Sequence, residues 1–106
     1  MKECGDDHVT NRPRRFTLAC ADANQYLDRM TWKRWGQSAA TGTGVVRLRD
    51  CSTSCSVGRL KSYPVKVVVN RIHRGEAAQF YTRMTLTYTK AVPAGEKRTE
   101  VFHLPR

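Results

Sequence analysis

At 106 residues, 40% of them hydrophobic, the chain has material for one small core and not comfortably for two. No apolar run approaches the ~20 residues of a membrane-spanning helix, which excludes that class of protein. The charge is lopsided: 19 Lys and Arg stand against 9 Asp and Glu, a net +10. Residues 1–50 carry 9 basic and 6 acidic side chains (+3), residues 51–106 carry 10 and 3 (+7). An excess of this size favours polyanionic or acidic partners, although dispersed lysines and arginines also simply keep a small protein soluble.

The chain reads as a single domain, 1–106, that begins with a polar, irregular segment over about residues 1–14. Its opening, "MKECGDD", has no apolar stretch of the kind a secretory leader carries, so Met1 is expected to be an added start on a mature chain. "RFTLAC" (15–20) alternates, with Phe16, Leu18 and Cys20 on one side, and predicts a short strand. In "ADANQYLDRM", Ala23, Tyr26, Leu27 and Met30 fall at i, i+3, i+4 and i+7, one stripe of a 3.6-residue period. With Asp22 as N-cap and Gln25 closing a capping box, this spacing predicts an amphipathic helix over about residues 22–31. Trp32 and Trp35 should then close the core where the chain leaves the helix; an exposed pair would instead suit a sugar or a base.

"GQSAATGTG" (36–44) reads as a flexible approach to the strand "GVVRLRD", where Val46 and Leu48 oppose Val45, Arg47 and Arg49. In "SYPVKVVVNRI" (62–72), Tyr63, Val65, Val67 and Val69 share a face, and Pro64 belongs near the strand start or on an edge. "QFYTRMTLTYTK" (79–90) places Phe80, Met84, Leu86 and Tyr88 opposite Tyr81, Arg83, Thr85 and Thr87. "TEVFHLP" adds a last strand, with Val101 and His103 opposite Phe102 and Leu104. The expected fold is therefore α+β: one helix packed on a mainly antiparallel sheet of four to five strands.

Four cysteines bear on compartment. Cys51 and Cys55 are spaced C-x₃-C, within the range of a zinc knuckle, but Cys4, Cys20, His8, His73 and His103 form no second tight pair. Thioredoxin-type redox chemistry needs C-x-x-C at a helix start, and here a strand follows. A disulfide framework fits an even cysteine count in a small domain, and it implies an oxidising compartment and export. Of the three possible connectivities, Cys4–Cys20 with Cys51–Cys55 is preferred.

The combination of "CGD", "LACADANQYL", a Trp-x-x-Trp-Gly run, "DCSTSCSVG", "SYPV" and "YTRMTLTYT" resembles a group of small secreted actinobacterial proteins. The likeness covers roughly residues 4–89 and includes all four cysteine positions. It implies export and disulfide bonding and supplies no mechanism. Where the group's pattern runs "GxFHSYPV", this chain has "GRLKSYPV", with Lys61 at the histidine, which puts any metal or acid–base role there in doubt.

Catalytic candidates are few. The acids beyond the first segment are Asp22, Asp28, Asp50, Glu76, Glu96 and Glu100, and no grouping of them suggests an acid–base pair. No glycine loop cradles a phosphate, since "GTG" leads into a strand. The expectation is no catalytic residue, no metal and no cofactor. The reading is a secreted, non-enzymatic binding domain. A basic sheet face of Arg47, Arg49, Lys66 and Arg83, with Tyr81 beside it and Arg59 and Lys61 near its edge, would engage an acidic protein or an envelope polymer. The alternatives are a protease or hydrolase inhibitor presenting the Cys51–Cys55 loop, and a nucleic-acid binder.

Overall fold

A computed structural model describes residues 1, 11–18, 25–36, 38–49, 60–74, 79–93 and 95–104. It contains six strands: β1 (Phe16–Thr17), β2 (Gln25–Trp35), β3 (Ala39–Arg49), β4 (Leu60–Arg74), β5 (Gln79–Tyr88) and β6 (Thr99–His103). They pair antiparallel in chain order, β1-β2-β3-β4-β5-β6, as one meander that curls into a half-barrel with β1 and β6 at its edges. The fold is all-β. The helix expected over 22–31, the α+β class and the count of four to five strands are all corrected by this arrangement. All four cysteines lie outside the described residues, and with them both preferred disulfides.

Of the stretch expected as a helix, residues 22–24 lie outside the described residues and 25–31 form the first part of β2, where the three-residue spacing has a different cause. Asp28 pairs with Val45 and Thr31 with Thr43, so Arg29 and Met30 together face Gly44. Trp32 pairs with Gly42 and Arg34 with Thr41, so Lys33 is one residue in excess. These are two β-bulges, each adding one residue to one strand of a pair. They turn the two-residue period of a strand into inward positions at Leu27, Met30, Trp32 and Trp35. Arg29, with φ 53°, is the left-handed residue of the first bulge. Its N–H donates to Asp28 Oδ1 at 2.9 Å.

The inner face is built in cross-strand rows. One runs Phe16–Leu27–Val46–Tyr63, a second Gly44–Val65–Tyr88, a third Gly42–Val67–Leu86–Glu100 and a fourth Ala40–Val69–Met84–Phe102. Most of these apolar side chains are fully buried in a single core that also takes in Met1, Met30, Tyr81 and Leu104. The segment expected as a flexible approach, "ATGTG", is part of β3. Gly42 and Gly44 lie under the Trp32 ring and Met30, leaving room for them. The alternations read for β4, for β5 from Arg83 on and for β6 match the burial pattern, with Val65, Val67, Val69, Met84, Leu86 and Tyr88 buried and Val101 and His103 exposed; at the start of β5 Phe80, Tyr81 and Thr82 are all buried.

Pro64 sits inside β4, between β3 and β5. Its carbonyl accepts the Thr89 N–H at 3.0 Å, just past the end of β5. In an antiparallel strand a residue's N–H and C=O face the same neighbour. The missing N–H of Pro64 therefore falls where the β5 ladder stops, which explains how a central strand accommodates it.

Candidate functional site

The outer face of the sheet carries the charge. Its rows run Thr17–Tyr26–Arg47–Ser62, then Asp28–Val45–Pro64, then Thr31–Thr43–Lys66–Thr87–Thr99, then Thr41–Val68–Thr85–Val101, and last Asn70–Arg83–His103. Threonine and valine fill most positions that are not basic, as suits exposed extended backbone. Arg47, Lys66 and Arg83 stand on this face as expected. Arg49 ends β3 and is described by its backbone alone, and Arg59 lies outside the described residues. Lys61 is exposed but pairs with Leu48, in the register of the inner face.

The acids of the described residues are Asp28, Glu96 and Glu100, and of these only Asp28 is on the outer face. Its Oδ2 is 2.8 Å from Arg47 Nε and 3.6 Å from Arg15 Nη2. Burial works to raise the Asp28 pKa, but the Arg29 N–H and the Arg47 and Arg15 guanidiniums outweigh it and hold the carboxyl below its usual 3.8. Arg47 is thus largely spent on Asp28 and on fixing the bulge. Arg83 is oriented by Asn70, whose Oδ1 accepts from its Nε at 2.8 Å, and it keeps its net charge. Lys66 is exposed beside threonines, with no acidic partner among the described residues.

Tyr81 is not part of this face. It is 3% exposed, and its hydroxyl donates to the Gly36 carbonyl. The physical reason lies in β4: Arg71 adopts φ 55°, and its carbonyl accepts the Thr82 hydroxyl at 2.6 Å. That interrupts the extended alternation, and the Ile72–Tyr81 pair beyond it packs on the core.

Trp32 and Trp35 are half-buried and belong to the core's margin. Their rings meet edge to face at 5.0 Å, and Trp35 meets Tyr81 likewise at 5.3 Å. Trp32 Nε1 donates to the Pro13 carbonyl at 2.9 Å, which ties the N-terminal segment to β2. Beside them is a pocket of about 120 Å³ lined by Met1, Asn11, Trp35, Gly36, Ile72, Gln79, Phe80 and Tyr81. The Arg12 guanidinium lies 5.8 Å from the centre of the Trp35 ring.

A second polar cluster sits at the opposite end of the inner face, and the sequence offered no signal for it beyond two glutamates in the last turn and strand. Glu100 is on the inner face of β6, diagonal to Tyr88 on β5, whose N–H donates to the Arg98 carbonyl at 2.8 Å. Burial, reinforced by the carboxyl of Glu96 within hydrogen-bonding reach, pushes the Glu100 pKa up to about 7. Burial also pushes the Tyr88 hydroxyl up to about 12, with Glu100 and Glu96 adding to the rise. The Gln25 amide offsets a little of that rise without closing a hydrogen bond. Tyr88 Oη and Glu100 Oε1 are both buried and have no hydrogen-bond partner.

No three His, Cys, Asp or Glu side chains converge among the described residues, and no described helix is long and apolar enough to cross a membrane. No protein-family model matches the chain, and no curated protein or solved structure matches it either. What the chain does must therefore be argued from its own surface.

Proposed function

We propose that the chain is a secreted, disulfide-stapled, non-enzymatic binding domain whose basic outer face engages an acidic protein or an anionic envelope polymer. One observation carries the reading. The single described carboxylate of that face is already taken by Arg47 and Arg15, which leaves Lys66 and Arg83 un-neutralised. They lie two rows apart on a sheet, on the order of 13 Å along the strand direction at 3.3 Å per residue. That separation suits several spaced negative charges better than one small anion. The resemblance to secreted actinobacterial proteins supports the exported setting and the disulfides.

Nucleic acid is the weaker partner. Single-strand binders interleave basic residues with aromatic stacking platforms; with Tyr81 buried, Tyr26 is the one tyrosine of the described outer face, and the Arg15 guanidinium already lies 5.1 Å from the centre of its ring. The inhibitor reading rests on the Cys51–Cys55 loop, outside the described residues, and nothing in the described fold favours it.

The test is binding to polyglutamate and to a teichoic-acid-type polymer across a salt series. The Lys66→Glu, Arg83→Glu double variant should lose tenfold or more in affinity at low salt, and its log–log salt slope should be shallower. Salt-independent binding, or equal binding by the double variant, would overturn the proposal.

A further inference from the structure

In a chain of net +10, two of the three described carboxylates stand side by side at the β5–β6 end of the inner face, with no Lys or Arg among the described residues in an ion pair with either. Arg98, in the β5–β6 connection, directs Nη1 at the carbonyls of Tyr88 (2.9 Å) and Lys90 (3.4 Å). Next to the pair is Tyr88, fully buried, its hydroxyl without a partner. Buried oxygens left unpaired each cost a few kcal/mol, and two adjacent carboxylates add mutual repulsion. No described Lys or Arg forms an ion pair that offsets this.

We propose that Glu96 and Glu100, with the Tyr88 hydroxyl and the Gln25 amide beside them, form a binding site for a hard divalent cation of the calcium class. The donors present are oxygens: two carboxylates and a phenol, with the Gln25 amide beside the phenol. Oxygen-only sets select hard cations over zinc or copper, which favour nitrogen and sulfur. Calcium fits better than magnesium because the donors come from β5, β6 and the β5–β6 connection and are not arranged as a compact octahedron. Two carboxylates hold calcium weakly, with Kd on the order of 10⁻⁴–10⁻³ M, the range of extracellular modules. Around the pair stand Gln25 on β2, Tyr63 on β4, Tyr88 on β5 and Arg98 in the β5–β6 connection. This site is independent of the basic outer face.

The experiment is thermal unfolding of the full chain with and without calcium chloride at pH 8. About 10 mM calcium should raise Tm by several degrees, with magnesium well behind. Glu100→Gln and Glu96→Gln should each lose most of the calcium response, while Asp28→Asn, on the opposite face, should keep it. A tyrosine difference spectrum on calcium addition should appear in wild type and vanish in Tyr88→Phe. No calcium-dependent rise at pH 8, or an equal rise in wild type and Glu100→Gln, would overturn the proposal.

Discussion

Gly44 lies directly under Met30. A Cβ built on Gly44 would collide with the Met30 sulfur and approach the Asp28 carbonyl to 2.9 Å. The thioether could swing away; the backbone carbonyl could not. Gly44→Ala should therefore destabilise the fold by about 2 kcal/mol, read as a shift in denaturation midpoint at unchanged slope. Gly42→Ala should cost at least as much, since its Cβ would come within 2.7 Å of the Thr31 carbonyl and 2.9 Å of the Trp32 ring. Met30→Ala in the Gly44→Ala background should recover only part of the loss. Full recovery would show that the sulfur alone dictates the glycine.

The bulge above that glycine makes its own prediction. Arg29 holds φ 53°, which costs a non-glycine residue about 1 kcal/mol, and Asp28 offsets it by accepting the Arg29 N–H and pairing with Arg47. Arg29→Gly should be neutral or stabilising by up to about 1 kcal/mol. Asp28→Ala should destabilise by about 1–2 kcal/mol, because it removes the acceptor that fixes the bulge. Denaturant melts of the two variants decide it; a loss on Arg29→Gly would mean that the arginine side chain, and not the backbone shape, is what the position requires.

This bulge is also why the sequence misled about β2. Strand alternation was legible wherever the ladder was regular, and the inward valines of β4 and the Met84, Leu86 and Tyr88 series of β5 could be read directly. In β2, two extra residues placed Leu27, Met30, Trp32 and Trp35 inward at spacings of three, two and three. Over so short a span that is indistinguishable from a helical stripe. Glycines in "TGTG" pointed to a loop because glycine weakens a strand on its own; that Met30 and Trp32 need the space depends on a cross-strand register no local pattern contains. On the outer face, Arg47, Lys66 and Arg83 were legible from alternation. Tyr81 was not, since its side was set by the left-handed turn of Arg71.

Stability should have a limb on each side of a mildly acidic optimum. Asp28 titrates below its unfolded value of 3.8, so its contribution is present above that pH and is lost as pH falls through the folded value. Glu100 runs the other way. Its folded pKa of about 7 lies above the unfolded 4.5, so between these values the folded state holds the extra proton. Stability falls as pH rises from 4.5 to 7 and levels off beyond, a loss on the order of 2 kcal/mol in calcium-free buffer. Urea melts from pH 3 to pH 9 would trace both limbs. Glu100→Gln should flatten the neutral limb and leave the acid limb in place; an unchanged neutral limb would assign it to another group.

Tyr81 and Tyr88 are nearly equally buried, 3% and 0% exposed, yet their hydroxyls are differently placed. That of Tyr81 donates to the Gly36 carbonyl at the turn that leaves β2, whereas that of Tyr88 has no partner. Removing a satisfied hydroxyl strands the carbonyl it served, so Tyr81→Phe should cost about 1–2 kcal/mol. Removing an orphaned hydroxyl deletes a desolvation penalty and strands nothing. Tyr88→Phe should accordingly be neutral or stabilising by up to about 1 kcal/mol in calcium-free buffer. Equal destabilisation by both substitutions would show that Tyr88 does have a partner in solution, and an ordered water between it and Glu100 would be the first to look for.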